Sequence, residues 1–161
     1  MNLRKATSED LEELAKLGME FHRDHELILA KDKKAIPFDK KNKDIFLINK
    51  NFIKKYINSK KGEVFLVEDN KKIVAYSLLI IHRDSPILEN KYLGVISDIF
   101  VKKEYRNKKI SSMLYEESIK WFKKNKIELI SLNVNPNNPA HKIYKKWGFF
   151  DFMINMRKRL E

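Results

Sequence analysis

The stretch Asn137-Asn138-Pro139-Ala140-His141-Lys142-Ile143-Tyr144-Lys145-Lys146-Trp147-Gly148-Phe149 specifies a short helix together with both of its ends. Asn138 is a good N-cap, and Pro139 suits the first helical position, where the missing N–H costs nothing. Ala140, Ile143, Tyr144 and Trp147 fall at i, i+3, i+4 and i+7, so they are expected to share one buried face. Gly148 is a natural stop just past the last turn. Standing alone, the pattern fits an ordinary core helix ending in an aromatic cluster equally well.

A second informative segment lies upstream. The hydrophobic run Val95 to Val101 reads as a strand and leads into Lys102-Lys103-Glu104-Tyr105-Arg106-Asn107-Lys108-Lys109-Ile110-Ser111-Ser112-Met113-Leu114. A strand, a basic loop and a helix start together make an anion site. The first N–H groups of a helix have no intrahelical acceptor, and the helix dipole favours negative charge there. A solvated loop carrying surface lysines has the same composition, so this segment alone is a weak signal.

Outward from these two segments the chain alternates regularly. Residues 2–6 read as a strand, and Thr7-Ser8-Glu9-Asp10 as a helix start with acidic residues at the positive end of the dipole. Leu11, Leu14, Leu17, Gly18 and Phe21 form a helical stripe, and Ile45, Ile48, Phe52, Ile53 and Tyr56 form another. Between them, Lys31 to Lys43 is a polar loop broken by Pro37. Val64 to Glu68 and Ile73 to Ile81 flank Asp69-Asn70 as a hairpin. Ser111 to Lys124 is expected to be a helix that buries Ile110, Met113, Leu114, Trp121 and Phe122. Ile127 to Val134 reads as a strand, and Phe149 to Arg159 as one or two more. The expected order is β-α-α-β-β-β-α-β-α-β, with no repeat, linker or low-complexity segment.

The 161 residues suit a single domain spanning 1–161, and 43% hydrophobic residues with ten Phe are enough for a core. No long apolar run is present, so no membrane span or membrane partner is expected. Met1-Asn2-Leu3-Arg4-Lys5 leads straight into a charged helix and does not resemble a signal peptide. With no Cys, disulfides, thiolate nucleophiles and zinc–cysteine sites are excluded. A cytoplasmic location is the default expectation. The net charge is +12, but only six of the 34 basic residues are Arg, and the Lys are scattered through a chain also rich in Ile and Asn. A nucleic-acid surface requires clustering, so no nucleic-acid partner is expected.

The two segments together resemble the GCN5-related N-acetyltransferases. The resemblance rests on Asn137-x-x-Ala140-x-x-Ile143-Tyr144-x-x-x-Gly148-Phe149 and on Val101-x-x-x-Tyr105-Arg106, in family order and spacing. It covers residues 63–152 well, and 1–60 only through the strand-helix-helix pattern. It implies an α/β (α+β) fold with a mixed, mostly antiparallel sheet, splayed at its centre and flanked by helices. There is one departure. The family's pyrophosphate loop usually reads Arg/Gln-x-x-Gly-x-Gly/Ala, whereas here it reads Arg106-Asn107-Lys108-Lys109-Ile110-Ser111. A left-handed Lys109 would cost about 1–2 kcal/mol. Either the loop avoids positive φ and Lys109 adds a phosphate contact, or cofactor binding is weakened. The three cations Arg106, Lys108 and Lys109 suit a polyphosphate and favour the first.

The resemblance further implies acetyl-CoA as cosubstrate, lying between the strand at 95–101 and the one at 127–134. Backbone groups near Ile99, Phe100 and Val101 would hold the pantetheine and the thioester carbonyl. Amides of Arg106, Asn107, Lys108, Lys109, Ile110, Ser111 and Ser112 would hold the pyrophosphate. Asn137 would contact the pantetheine arm or fix the helix start. Tyr144 would lie against the cosubstrate and act as general acid, since a departing thiolate needs a proton. Its structural alternative is a core aromatic.

For the base that relieves the attacking amine of its proton, Asp98 is the first candidate, beside the thioester and next to Ser97. A strand-edge carboxylate paired with a lysine explains it as well. His82 is second. His22, His25 and Glu26 have spacings common by chance, so no metal is expected. The resemblance places the acceptor side at the first two helices and their loop, which mix Phe21, His25 and Phe38 with Asp24, Glu26, Asp32, Asp39 and Asp44. The reading is thus direct acetyl transfer to a primary amine of a small molecule or a protein, with a homodimer left open. A catalytically degenerate CoA-binding or partner-binding member of the same fold is the alternative.

Overall fold

The computed structural model describes residues 1–33, 35–38, 40–87, 89–158 and 160. In chain order it contains β1 (Asn2–Lys5), α1 (Leu11–Leu29), α2 (Ile45–Tyr56), β2 (Gly62–Asp69), β3 (Lys72–Arg83), β4 (Tyr92–Val101), α3 (Ile110–Lys124), β5 (Ile130–Ser131) and α4 (Ala140–Lys146). Lys34 and Asp39 of the expected polar loop lie outside the described residues. No helix among the described residues is long and apolar enough to cross a membrane.

One sheet of order β1-β2-β3-β4-β5 organises the chain. Its first four strands pair antiparallel and the last pairs parallel, as a mixed, mostly antiparallel sheet requires. The β2–β3 turn is tight, with Asn70 at φ 49° and Lys71 at φ 62°. Two positive φ values give a connection whose twist matches that of the flanking strands. At the start of the chain, Arg4 holds Asp10 at 2.7 and 2.8 Å and Glu68 at 2.5 Å, tying β1 and β2 to the entry of α1.

Period-two alternation sends the strand side chains to two cores. Leu14, Leu17 and Ile53 of α1 and α2 cover one face, against Leu66, Tyr76, Leu78 and Phe100. Ile110, Leu114 and Phe122 of α3 cover the other, against Phe65, Val67, Leu79 and Ile96. Each such fully buried side chain contributes about 1.5–3 kcal/mol. Gly94 of β4 permits the close approach of α3. A Cβ there would lie 2.6 Å from Phe122 and 3.0 Å from Ile127.

Three expectations are corrected. The strand expected over 127–134 is only Ile130–Ser131, because Ile127 instead turns into the α3 core, its N–H donating to Phe122 O at 3.0 Å. The strands expected from Phe149 to Arg159 do not form. Residues 149–158 have no regular structure, and Arg159 lies outside the described residues. The start of the segment is tied to α4 instead, where Asp151 accepts from His141 and Lys145, both at 2.7 Å. Finally, Met113 is 37% exposed and Ile143 41%, because no described element covers the outward sides of α3 and α4.

Candidate active site

A β-bulge decides where the carboxylate goes. Along β3 and β4, Leu78 lies opposite Asp98 but Leu79 lies opposite Ile96, so Ser97 is the extra residue. In an unbroken strand Ile96 and Asp98 would share a face. The inserted residue flips the alternation. Ile96 therefore packs into the α3 core, while Phe100 joins the α1 core and Asp98 comes to Tyr76 on that same side.

Asp98 is held at both oxygens. Tyr76 Oη donates to Oδ2 at 2.9 Å, and Ser97 Oγ donates to Oδ1 at 3.1 Å. Burial pushes its pKa above the ordinary carboxylate value; the two hydroxyl donors and the charges of His22 and His25 pull the other way without prevailing. The Phe21 ring lies 5.6 Å from His22, 5.3 Å from His25 and 6.0 Å from Phe100, so α1 presents an aromatic surface next to the carboxylate.

The sheet opens beside this group. Pairing between β4 and β5 is limited to Gly94–Ile130 and Val95–Ser131, with Gly94 N–H donating to Leu129 O at 2.9 Å. From Ile96 to Val101, β4 has a strand partner only in β3. The chain beyond β5 leads to α4. Asn138 Oδ1 accepts the Ala140 N–H at 2.9 Å, so Asn138 caps the helix as its sequence indicates, and Asn137 gives its own N–H to Asn135 Oδ1 at 2.8 Å. Gly148 ends the helix at φ 91°.

Tyr144 is half-buried on α4, its ring 5.6 Å from Trp147 and 6.2 Å from Phe149. Burial pushes its phenol up to about 12, and the nearby Asp98 charge adds to the shift. The hydroxyl makes no hydrogen bond with another described residue. The structure thus brings Tyr144 into the electrostatic neighbourhood of Asp98. It does not bring His82 there: that residue lies farther along β3, opposite Leu93, with Nδ1 3.0 Å from Arg83 O.

The loop before α3 departs from the expected conformation. Lys109 sits at the helix entry with φ 58° and ψ 13°, and Asn107 has φ 63°. The expectation that the loop avoids positive φ is therefore wrong. The backbone keeps the left-handed geometry that Gly would supply freely, at a cost of about 1–2 kcal/mol for Lys109. Met113 N–H makes the first intrahelical bond, to Lys109 O at 3.1 Å, leaving the amides of Ile110, Ser111 and Ser112 without intrahelical acceptors. Lys108 and Lys109 are exposed, Lys108 lying 4.9 Å from the centre of the Tyr105 ring. Arg106 is turned away from this turn. Its Nε donates to Val101 O at 3.0 Å, its guanidinium pairs with Asp24 of α1, and it lies 5.8 Å from the centre of the Phe100 ring.

Sequence reasoning missed Tyr76. It reads as one more apolar position in the run Ile73 to Ile81, yet it is 0% exposed. A phenol at the centre of a buried strand needs an acceptor, and that requirement was the available signal.

Residues 13–149 match the model of the acetyltransferase (GNAT) family. No curated protein matches the chain. Among solved structures, the tetramutant of the BH1408 protein from Bacillus halodurans is 24% identical with a TM-score of 0.81, covering 99% of this chain and 100% of that one. A predicted acetyltransferase with acetyl-CoA from Clostridium acetobutylicum is 21% identical, TM-score 0.75, covering 98% and 95%. The aminoglycoside antibiotic 6′-N-acetyltransferase of Acinetobacter haemolyticus is 14% identical, TM-score 0.72, over the full length of both chains. These likenesses establish a shared fold.

Proposed function

Because the chain belongs to the acetyltransferase (GNAT) family and is an acetyl-CoA-dependent N-acetyltransferase, we propose that it acts as one domain and transfers the acetyl group directly to a primary amine, with Asp98 as base and Tyr144 as acid. One observation carries this reading. A half-buried carboxylate and a half-buried phenol with no hydrogen-bonded partner among the described residues lie near enough for the Asp98 charge to raise the Tyr144 pKa, beside the stretch of β4 that lacks a β5 partner.

The residues present fit the cosubstrate. Three amides at the start of α3 lack intrahelical acceptors, and the left-handed Lys109 shapes the turn before them. In this reading the amides from Arg106 to Ser112 hold the pyrophosphate, with Lys108 and Lys109 adding charge. Backbone groups of Ile99, Phe100 and Val101, on the β4 stretch that lacks a β5 partner, hold the pantetheine, with Asn137 at its other side. Acetyl-CoA supplies the acetyl group as a thioester.

The protons then balance. A C–N bond forms and a C–S bond breaks. Asp98 takes the proton that the amine nitrogen must lose, and its raised pKa brings it nearer the operating pH, where a base is most effective. Tyr144 Oη returns a proton to sulfur. Its pKa of about 12 keeps it protonated throughout the physiological range. No covalent acyl-enzyme is required, and the chain has no Cys to form one.

The acceptor is an amine of a small molecule or a protein that docks against Phe21, His22 and His25. The test is thiol release from acetyl-CoA over a panel of amines, for the wild type, Asp98→Asn and Tyr144→Phe. Loss of turnover in both variants with acetyl-CoA affinity retained supports the assignment. Wild-type turnover in either removes that residue from its role.

A further inference from the structure

Tyr76 belongs to none of the motifs described above, yet it is the largest fully buried side chain among the described residues. Its place in the fold is specific. It sits on β3 opposite Phe100, two register steps from the Leu78–Asp98 pair that borders the bulge. The Phe100 ring is 6.4 Å from its own. The hydroxyl donates to Asp98 Oδ2 at 2.9 Å, while Ser97 takes Oδ1.

We propose that Tyr76 is a positioning residue for the transfer reaction: its hydroxyl fixes the Asp98 carboxylate in orientation and keeps it ionised for the incoming amine. The inference rests on the assignment of Asp98 as base.

Three observations argue for it. A carboxylate free to rotate would present its lone pairs in many directions, whereas one held at both oxygens keeps a single direction, and small errors in a base's aim lower turnover. A hydrogen bond donated to a carboxylate favours the charged form, which counters the burial of Asp98. Tyr76 is itself rigid, packed between the sheet and α1 at 0% exposure, so the donor stays fixed while the acceptor side fills and empties. The other groups facing Asp98 are Ser97 from β4, His22 and His25 from α1, and Tyr144 from α4. Of these, the two histidines also act electrostatically on Asp98, so they must be controlled.

Tyr76→Phe keeps the ring and removes only the donor. Turnover should fall about tenfold with KM for acetyl-CoA unchanged, since the loop before α3 is untouched. Losing the donor raises the Asp98 pKa. The acidic limb of the pH–kcat profile should therefore move to higher pH by about one unit, the scale of a hydrogen bond to a charged group. The same displacement should persist in a His22→Gln/His25→Gln background. An unmoved limb in folded Tyr76→Phe overturns the proposal.

A double-mutant cycle keeps the question open to decision if Tyr76→Phe folds poorly alone. In an Asp98→Asn background there is no carboxylate charge for the hydroxyl to stabilise, and Tyr76→Phe should then have no further effect on kcat. A further fall of the same size overturns the proposal and leaves a merely structural tyrosine. Failure of the underlying assignment looks different: Asp98→Asn alone would retain the wild-type rate and profile.

Discussion

The Tyr115 ring of α3 lies flat against the Trp147 ring at the end of α4, with centroids 4.2 Å apart and planes inclined by 6°, and the Tyr115 hydroxyl donates to the Trp147 carbonyl at 3.2 Å. A seven-residue helix has little stability of its own. This stack and hydrogen bond are what orient α4, and with it Tyr144. Tyr115→Leu removes both at an expected cost of about 1–2 kcal/mol. Thermal melting should show that modest loss, while turnover should fall by much more than the melting shift suggests. Proportionate losses would mean that α4 is oriented by something else.

Tyr144→Phe separates chemistry from packing. The hydroxyl has no hydrogen-bonded partner among the described residues, so its removal should leave the melting temperature close to that of the wild type. Turnover should drop about 10²-fold, the scale for losing a positioned proton donor. Calorimetry should give an unchanged acetyl-CoA affinity. An unaltered rate would show that sulfur takes its proton from water.

Lys109 combines a backbone cost with a charge, and two substitutions divide them. Lys109→Gly relieves about 1–2 kcal/mol of left-handed strain and returns up to about 1 kcal/mol in chain entropy, so stability should rise slightly. Lys109→Ala keeps the strain. Both lose the cation, so both should weaken acetyl-CoA binding at low salt and flatten its salt dependence. Calorimetry at two ionic strengths reads this directly. Equal salt dependence in all three proteins would exclude Lys109 from phosphate binding.

Asp10 makes acid stability predictable. Arg4 holds it down at about 2, chiefly through their hydrogen bonds, against a usual value of 3.8. A folded-state pKa below the unfolded one means a contribution fully present above about pH 4 and lost as pH falls toward 2. Its size is about 2 kcal/mol. Denaturant unfolding from pH 6 to pH 2 should show that decline, and Asp10→Asn should remove much of it.

Much of the architecture was legible because its signals are local. Asn138, Pro139 and Gly148 delimit α4 within a residue of where it lies, and the β2–β3 turn falls where Asp69-Asn70 indicates. What escaped depends on partners distant in sequence. The extent of β5 is set by how far β4 stays beside it, and the start of 149–158 is tied to α4 by the hold of His141 and Lys145 on Asp151. At the candidate site, Asp98 and Tyr144 stood out by type and position. The bulge at Ser97 did not, since an extra residue in one strand is visible only against the other. Tyr76 was hidden for the same reason: its acceptor belongs to the neighbouring strand.

The brief pairing of β4 with β5 also bears on how the molecule opens and assembles. β1 to β4 form a run of antiparallel neighbours, whereas among the described residues the chain after α3 pairs with the sheet only at Gly94–Ile130 and Val95–Ser131. The C-terminal quarter is therefore the part expected to detach at lowest free energy, and the part whose non-local pairing completes folding last. Amide hydrogen exchange should be fast from Ile130 to Lys146 and slow in β2 and β3. A ligand spanning the gap would slow exchange in that C-terminal quarter, joining two cooperative units that the bare chain keeps only loosely in register.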